Sequence, residues 1–148
     1  MFREAADDRP ILVVAGEGTV TGYERLTGKQ VWRHEIRVHG LFGEARSFSA
    51  IDIAIHGGRV YALSSSRILC VDYLTGAPLG QVDLSGVTSR PSLLVDGDLI
   101  FVGQRDGIYC YGLDGQLRWS VPHDGLSREG PALGLPGNIR QMDDTGRE

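Results

Sequence analysis

The amino-acid sequence predicts an all-β fold made of one strand-and-turn unit used several times, and three observations predict it. First, the unit Cys70-Val71-Asp72-Tyr73-Leu74-Thr75-Gly76 recurs. An earlier copy is Gly22-Tyr23-Glu24-Arg25-Leu26-Thr27-Gly28, and a later one, a residue shorter, is Cys110-Tyr111-Gly112-Leu113-Asp114-Gly115. A weaker last copy is Gln141-Met142-Asp143-Asp144-Thr145-Gly146. Second, the turn glycines Gly28, Gly76, Gly115 and Gly146 are 48, 39 and 31 residues apart. A four-stranded propeller blade takes roughly 40–45 residues. Third, 21 glycines punctuate short β-rich runs, and no stretch carries a convincing helical period.

The elements follow in order from composition and punctuation. Strands are predicted over 11–15, 19–24 and 30–36, turned by Gly16-Glu17-Gly18 and Thr27-Gly28. The second group is 49–56, 59–65, 67–73 and 79–84, turned by Gly57-Gly58 and Thr75-Gly76. The third is 92–95, 99–104, 107–112 and 116–121, with Asp96-Gly97-Asp98, Arg105-Asp106-Gly107 and Asp114-Gly115 between them. Residues 130–135 read as an opening strand and 138–142 as a third strand, with the second missing. The first interval is long because 39–46 is an insertion. The chain is thus expected to be a single β-propeller-type domain over 1–148, with blades at about 11–36, 49–84 and 91–121 and partial strands in 130–146. The first blade lacks an opening strand.

Composition narrows the function classes. The 148 residues suit one domain with a modest core. A net charge of −4 speaks against nucleic acid and anionic membranes as partners. No apolar run approaches the roughly 20 residues that span a bilayer. Residues 1–10 are charged and lack the apolar centre of a signal peptide, so the chain as given is expected to be cytoplasmic. Cys70 and Cys110 share one repeat position and are expected to be small buried thiols rather than a disulfide.

Trp32 and Trp119 stand four residues after the first and third turn glycines, and Gly80 takes that place after Gly76. The pattern resembles the pyrroloquinoline-quinone-like repeat family of β-propellers, whose unit ends Ala-x-Asp-x-x-Thr-Gly-x-x-x-Trp. The stretch from Gly22 keeps Thr27, Gly28 and Trp32; that from Cys70 keeps Asp72, Thr75 and Gly76; that from Cys110 keeps Gly115 and Trp119. The resemblance implies that these eight residues form the structural repeat motif, with each tryptophan packed flat on the turn of an adjacent blade. Truncating a tryptophan in such a core site costs about 3–5 kcal/mol.

Quinone dehydrogenases of this family have eight blades, an export signal, a calcium held by acidic and amide groups, and adjacent cysteines. This chain carries no adjacent cysteines, so no quinone and no metal is expected. His34, His39, His56 and His123 are scattered without ligand spacing. Asp7-Asp8 and Asp143-Asp144 read as solvated pairs, and Ser64-Ser65-Ser66 lacks a paired base. Gly16-Glu17-Gly18 is a hairpin turn and not a phosphate loop, because no helix follows it. No catalytic residue is expected. The insertion and its flank carry Leu41, Phe42, Arg46 and Phe48, a candidate contact loop; alternatively the two rings fill space beside the first blade.

Three blades leave a problem of closure, because propellers have at least four. The expected solutions are self-association into a ring, continuation in a longer chain, or docking on another protein. The function that follows is a non-catalytic scaffold or protein-interaction module. The alternative is a fragment of a larger propeller of the same family, a quinoprotein dehydrogenase or the sensor domain of a signalling protein.

Overall fold

The computed structural model describes residues 10–40, 43–46, 51–64, 67–84, 91–122, 131–136 and 138–140. The first sheet is a meander of β1 (Ile11–Gly16), β2 (Thr19–Glu24) and β3 (Gln30–Glu35). A separate hairpin follows, β4 (Arg37–Gly40) with β5 (Gly43–Arg46). The second sheet runs β6 (Asp52–His56), β7 (Arg59–Leu63), β8 (Arg67–Asp72) and β9 (Pro78–Asp83). The third runs β10 (Ser92–Asp96), β11 (Leu99–Gln104), β12 (Gly107–Gly112) and β13 (Leu117–Pro122). Last comes the pair β14 (Leu133–Leu135) and β15 (Asn138–Arg140). All pairings are antiparallel, and no helix occurs among the described residues. This is an incomplete β-propeller.

Register makes the repeat explicit. Gly22 faces Trp32, Cys70 faces Gly80 and Cys110 faces Trp119, and beside each pair the outer strand carries one extra, unpaired residue, Val31, Leu79 and Arg118. The extra residue bends the start of the outer strand just after the recurring turn. By this register β1 corresponds to β7 and β11. Among the described residues the first sheet therefore has no counterpart of β6 and β10; the lead-in 1–9 lies outside them.

Two readings need correction. The insertion at 39–46 is not an irregular loop: Val38 pairs with Ala45 and His39 with Glu44 in a short hairpin. Its residues lack alternating apolar positions, so no period announced it. Residues 138–140 are not a third strand with the second missing, because Leu135 pairs directly with Asn138 and Leu133 with Arg140. The tail thus supplies two paired strands.

The core lies in two seams on either side of the second sheet. Strand β7 sends Val60 and Ala62 towards the first sheet and Tyr61 and Leu63 towards the third. Strand β8 likewise sends Leu69 and Val71 one way and Ile68 and Cys70 the other. A two-residue period with both faces apolar is what a sheet between two others requires. Each fully buried Val, Leu or Ile contributes about 1.5–3 kcal/mol. At the second seam, Leu93 N donates to Asp52 Oδ2 at 3.2 Å and Gly97 N to His56 Nε2 at 3.0 Å, joining β10 to β6. His56 is therefore a cross-sheet acceptor as well as a turn-flanking residue. Arg67, 5% exposed, donates Nε to Asp83 and Nη1 to the Arg37 carbonyl, each at 2.6 Å. It ties the β4–β5 hairpin to the second sheet.

Candidate functional site

The recurring turn is built by a carboxylate. Asp72 Oδ1 accepts from the amides of Leu74 at 3.0 Å and Thr75 at 2.9 Å and from the Thr75 hydroxyl at 3.1 Å. The Thr75 hydroxyl in turn accepts from Ala77 N at 3.2 Å. Glu24 repeats this with the amides of Leu26 and Thr27, and the Thr27 hydroxyl accepts from Lys29 N. In the shorter third copy Asp114 accepts from Gln116 N at 3.0 Å. Donors aimed at a carboxylate favour its charged form. The Thr75 amide and hydroxyl hold Asp72 below the ordinary aspartate range, Thr27 chiefly lowers Glu24, and the Gln116 amide chiefly lowers Asp114.

The first seam shows what the turn is for. Trp32 lies across it, only 6% exposed, and its Nε1–H donates to the Tyr73 carbonyl at 3.1 Å. Its ring covers two glycines. A Cβ on Gly22 would lie 2.8 Å from Trp32 Cζ2, and one on Gly76 would lie 2.7 Å from Cδ2. Gly76 is also at φ +71°, a conformation that suits glycine. His34 Nε2 meets the Gly76 carbonyl, and the Tyr73 hydroxyl bonds the backbone of Ile11. Trp32, Gly76 and the Asp72–Thr75 turn are thus one interlocking unit between adjacent sheets.

Trp119 is placed differently. It is 45% exposed on the outer face of the third sheet, tilted against Phe101 with ring centroids 6.1 Å apart. Beside it, Leu94, Ile108, Leu133 and Leu135 help to line an open apolar cleft of about 180 Å³. The expected packing of Trp119 on an adjacent turn does not occur among the described residues, because β14 and β15 supply no such turn. The outer face of the first sheet also exposes Leu12 and Val14.

The remaining predicted residues fall as follows. Thr27, Gly28, Asp72, Thr75 and Gly115 all sit in the recurring turns, and Gly115 N donates to the Gly112 carbonyl at 3.0 Å. Leu41, Phe42 and Phe48 of the candidate contact loop lie outside the described residues, as do residues 141–146; Arg46 closes β5. Cys70 and Cys110 are both free thiols in separate sheets, and burial pushes both up from the ordinary thiol range. No group of three His, Cys, Asp or Glu side chains that would hold a metal occurs among the described residues. Sequence reasoning missed Tyr73, Asp52 and Arg67. Tyr73 occupies an unspecified position of the repeat, and the other two act across sheets that no local pattern connects.

A family model described as outer membrane protein assembly factor BamB matches residues 3–85, more than half of the chain. No curated protein sequence matches it. Among solved structures, dihydro-heme d1 dehydrogenase NirN in complex with DHE is similar over 86% of this chain and 27% of its own, at 19% identity and a TM-score of 0.59. A europium-containing methanol dehydrogenase is similar over 78% of this chain and 23% of its own, at 14% identity and a TM-score of 0.52. BamB from Moraxella catarrhalis is aligned over 97% of this chain and 58% of its own, at 14% identity and a TM-score of 0.48. The chain spans about a quarter of the length of the two dehydrogenases. With the recurring turn, the tryptophan seam and the family match in agreement, the chain belongs to the pyrroloquinoline-quinone-like repeat family that is described as outer membrane protein assembly factor BamB.

Proposed function

We propose that this chain is a non-catalytic propeller module that works by protein contact, with the outer face of the third sheet as its docking surface. The observation that carries the reading is the contrast between two equivalent residues. Trp32 is buried against a neighbouring sheet, whereas Trp119 presents its ring beside Leu94, Phe101 and Ile108. An exposed apolar patch centred on an aromatic residue is characteristic of an interaction site. The carboxylates of Glu24, Asp72 and Asp114 are all engaged in turn geometry, which favours a scaffold role over catalysis. The family description, which names assembly of outer membrane proteins, also supports a role in contact between proteins.

The occupant that suits this face best is another sheet of the same type, offering a Thr-Gly turn to Trp119 as Gly76 does to Trp32. A second copy of the chain is the simplest source. Light scattering on the wild type and on Trp119→Asp tests this. A dimer or larger ring is expected for the wild type and a monomer for the variant. A folded wild-type monomer at high micromolar concentration overturns pairing between copies. A quinone absorbance band that is retained after gel filtration with quinone and calcium overturns the non-catalytic reading.

A second reading is favoured by coverage: the chain matches only about a quarter of the two dehydrogenases. It then acts as a sector of a larger ring, and the same face meets the next blade. The expected cytoplasmic location belongs to the proposal as well, and fractionation of the source cells checks it.

A further inference from the structure

The second seam has the first seam's architecture without its tryptophan. Gly80 stands opposite Cys70 in the register that places Trp32 opposite Gly22. Gly115 occupies the turn position of Gly76, and Leu113 follows β12 as Tyr73 follows β8. Where the indole of Trp32 fills the first seam, the second has a cavity of about 400 Å³ that includes Gly80, Cys70, Leu113 and Gly115 in its lining. That volume lies within the roughly 300–1,000 Å³ of small-molecule sites. Ile68, Val82 and Ile100 add apolar wall, and Arg59 stands exposed beside Tyr61.

We propose that this vacated tryptophan place is a binding slot for a small planar bicyclic aromatic compound of the indole type. The protein itself offers a precedent, because one sheet earlier an indole lies between strands in the same register and against a turn one residue longer. There the indole N–H goes to a backbone carbonyl, that of Tyr73; in the second seam Leu113, which follows its strand as Tyr73 does, lines the slot. Arg59 and Asp114 both line the slot, and a guanidinium at its wall attracts an aromatic guest. The slot is separate from the cleft beside Trp119, which lies on the opposite face of the third sheet.

The probe is 5-fluoroindole, followed by fluorine NMR, together with alkylation of Cys70 by iodoacetamide. The whole chain is expected to give a saturable fluorine shift. Saturating indole is expected to slow Cys70 alkylation at least fivefold, with no effect on the urea-unfolded chain. Cys70→Phe, which fills the slot from its strand, is expected to abolish the shift, and Arg59→Ala to weaken binding severalfold. Trp119→Ala is expected to leave binding unchanged. A shift that does not saturate, or alkylation that indole leaves unchanged, overturns the proposal; the alkylation measurement needs no variant to fold. Loss of binding in Trp119→Ala with retention in Cys70→Phe also overturns it, by moving the compound to the outer face.

Discussion

The hydroxyl of Tyr73 accepts from the amide of Ile11 at 2.9 Å and donates to the carbonyl of the same residue at 2.8 Å. One side chain of the second sheet thus satisfies both backbone groups at the start of β1. This matters because β1 is an edge strand among the described residues, where the sheet order β1-β2-β3 places no strand on its far side. Tyr73→Phe keeps the ring and removes both bonds, at a cost of about 1–3 kcal/mol. Urea unfolding measures the loss, and hydrogen exchange should quicken first at the Ile11 amide.

Trp32 and Trp119 are equivalent by register and unequal by burial. Trp32→Ala removes a ring packed on Gly22 and Gly76 and should cost about 3–5 kcal/mol. Trp119→Ala in the isolated chain should cost less than half as much, because its ring already contacts solvent. Equal losses in thermal or urea unfolding would show that Trp119 is covered in solution.

The sequence was most legible where the repeat and its turn residues coincide. Thr19–Glu24, Leu99–Gln104 and Gly107–Gly112 begin and end at the residues expected, because turn residues bound them and β-branched and aromatic residues fill them. The motif also announced the packing of Trp32 on the next turn. It did not reveal that Tyr73 and Arg67 connect separate elements, since those bonds join residues 62 and 30 positions apart. Nor did it reveal the cavity at Gly80. A missing tryptophan in a repeat reads as degeneracy until the register shows that the opposing turn is still in place.

Glu17 is a strained point in the β1–β2 turn. It has φ +51° and is followed by Gly18 at +78°. Two residues at positive φ suit a two-residue hairpin, but a glutamate there bears a Cβ cost of about 1–2 kcal/mol. Glu17→Gly recovers part of that cost and gives some back as unfolded-chain entropy. A net rise in stability of up to about 1 kcal/mol is expected in urea unfolding, with no change in the slope against denaturant.

Acid should weaken the fold through its turns. The carboxyls of Asp72, Glu24 and Asp114 are held below their ordinary values by donors from their own turns. A folded-state value below the unfolded one means that the unfolded chain binds more protons, so stability rises with pH in that window. The contribution is complete above the unfolded carboxyl range, near pH 4, and is lost as pH falls through the folded values. Carboxyl NMR titration should place all three midpoints under that range. Asp72→Asn should flatten part of the slope of stability against pH below 4.

Gly28 and Gly76 form a matched pair that separates backbone strain from packing. Their φ angles are +75° and +71°. Each donates its amide at 2.8 Å to the carbonyl four residues back, Glu24 for one and Asp72 for the other. They differ in what lies above them: nothing within 4 Å of a Cβ at Gly28, and the Trp32 ring at Gly76. Gly28→Ala should therefore cost only the left-handed backbone penalty, about 1–2 kcal/mol. Gly76→Ala must also displace the indole, adding about 1–3 kcal/mol of overpacking. In a Trp32→Ala background that excess should vanish, leaving Gly76→Ala as costly as Gly28→Ala. The double-mutant cycle reads this coupling directly. An excess that survives removal of the indole would mean that the glycine is required by its own turn and not by the tryptophan that rests on it.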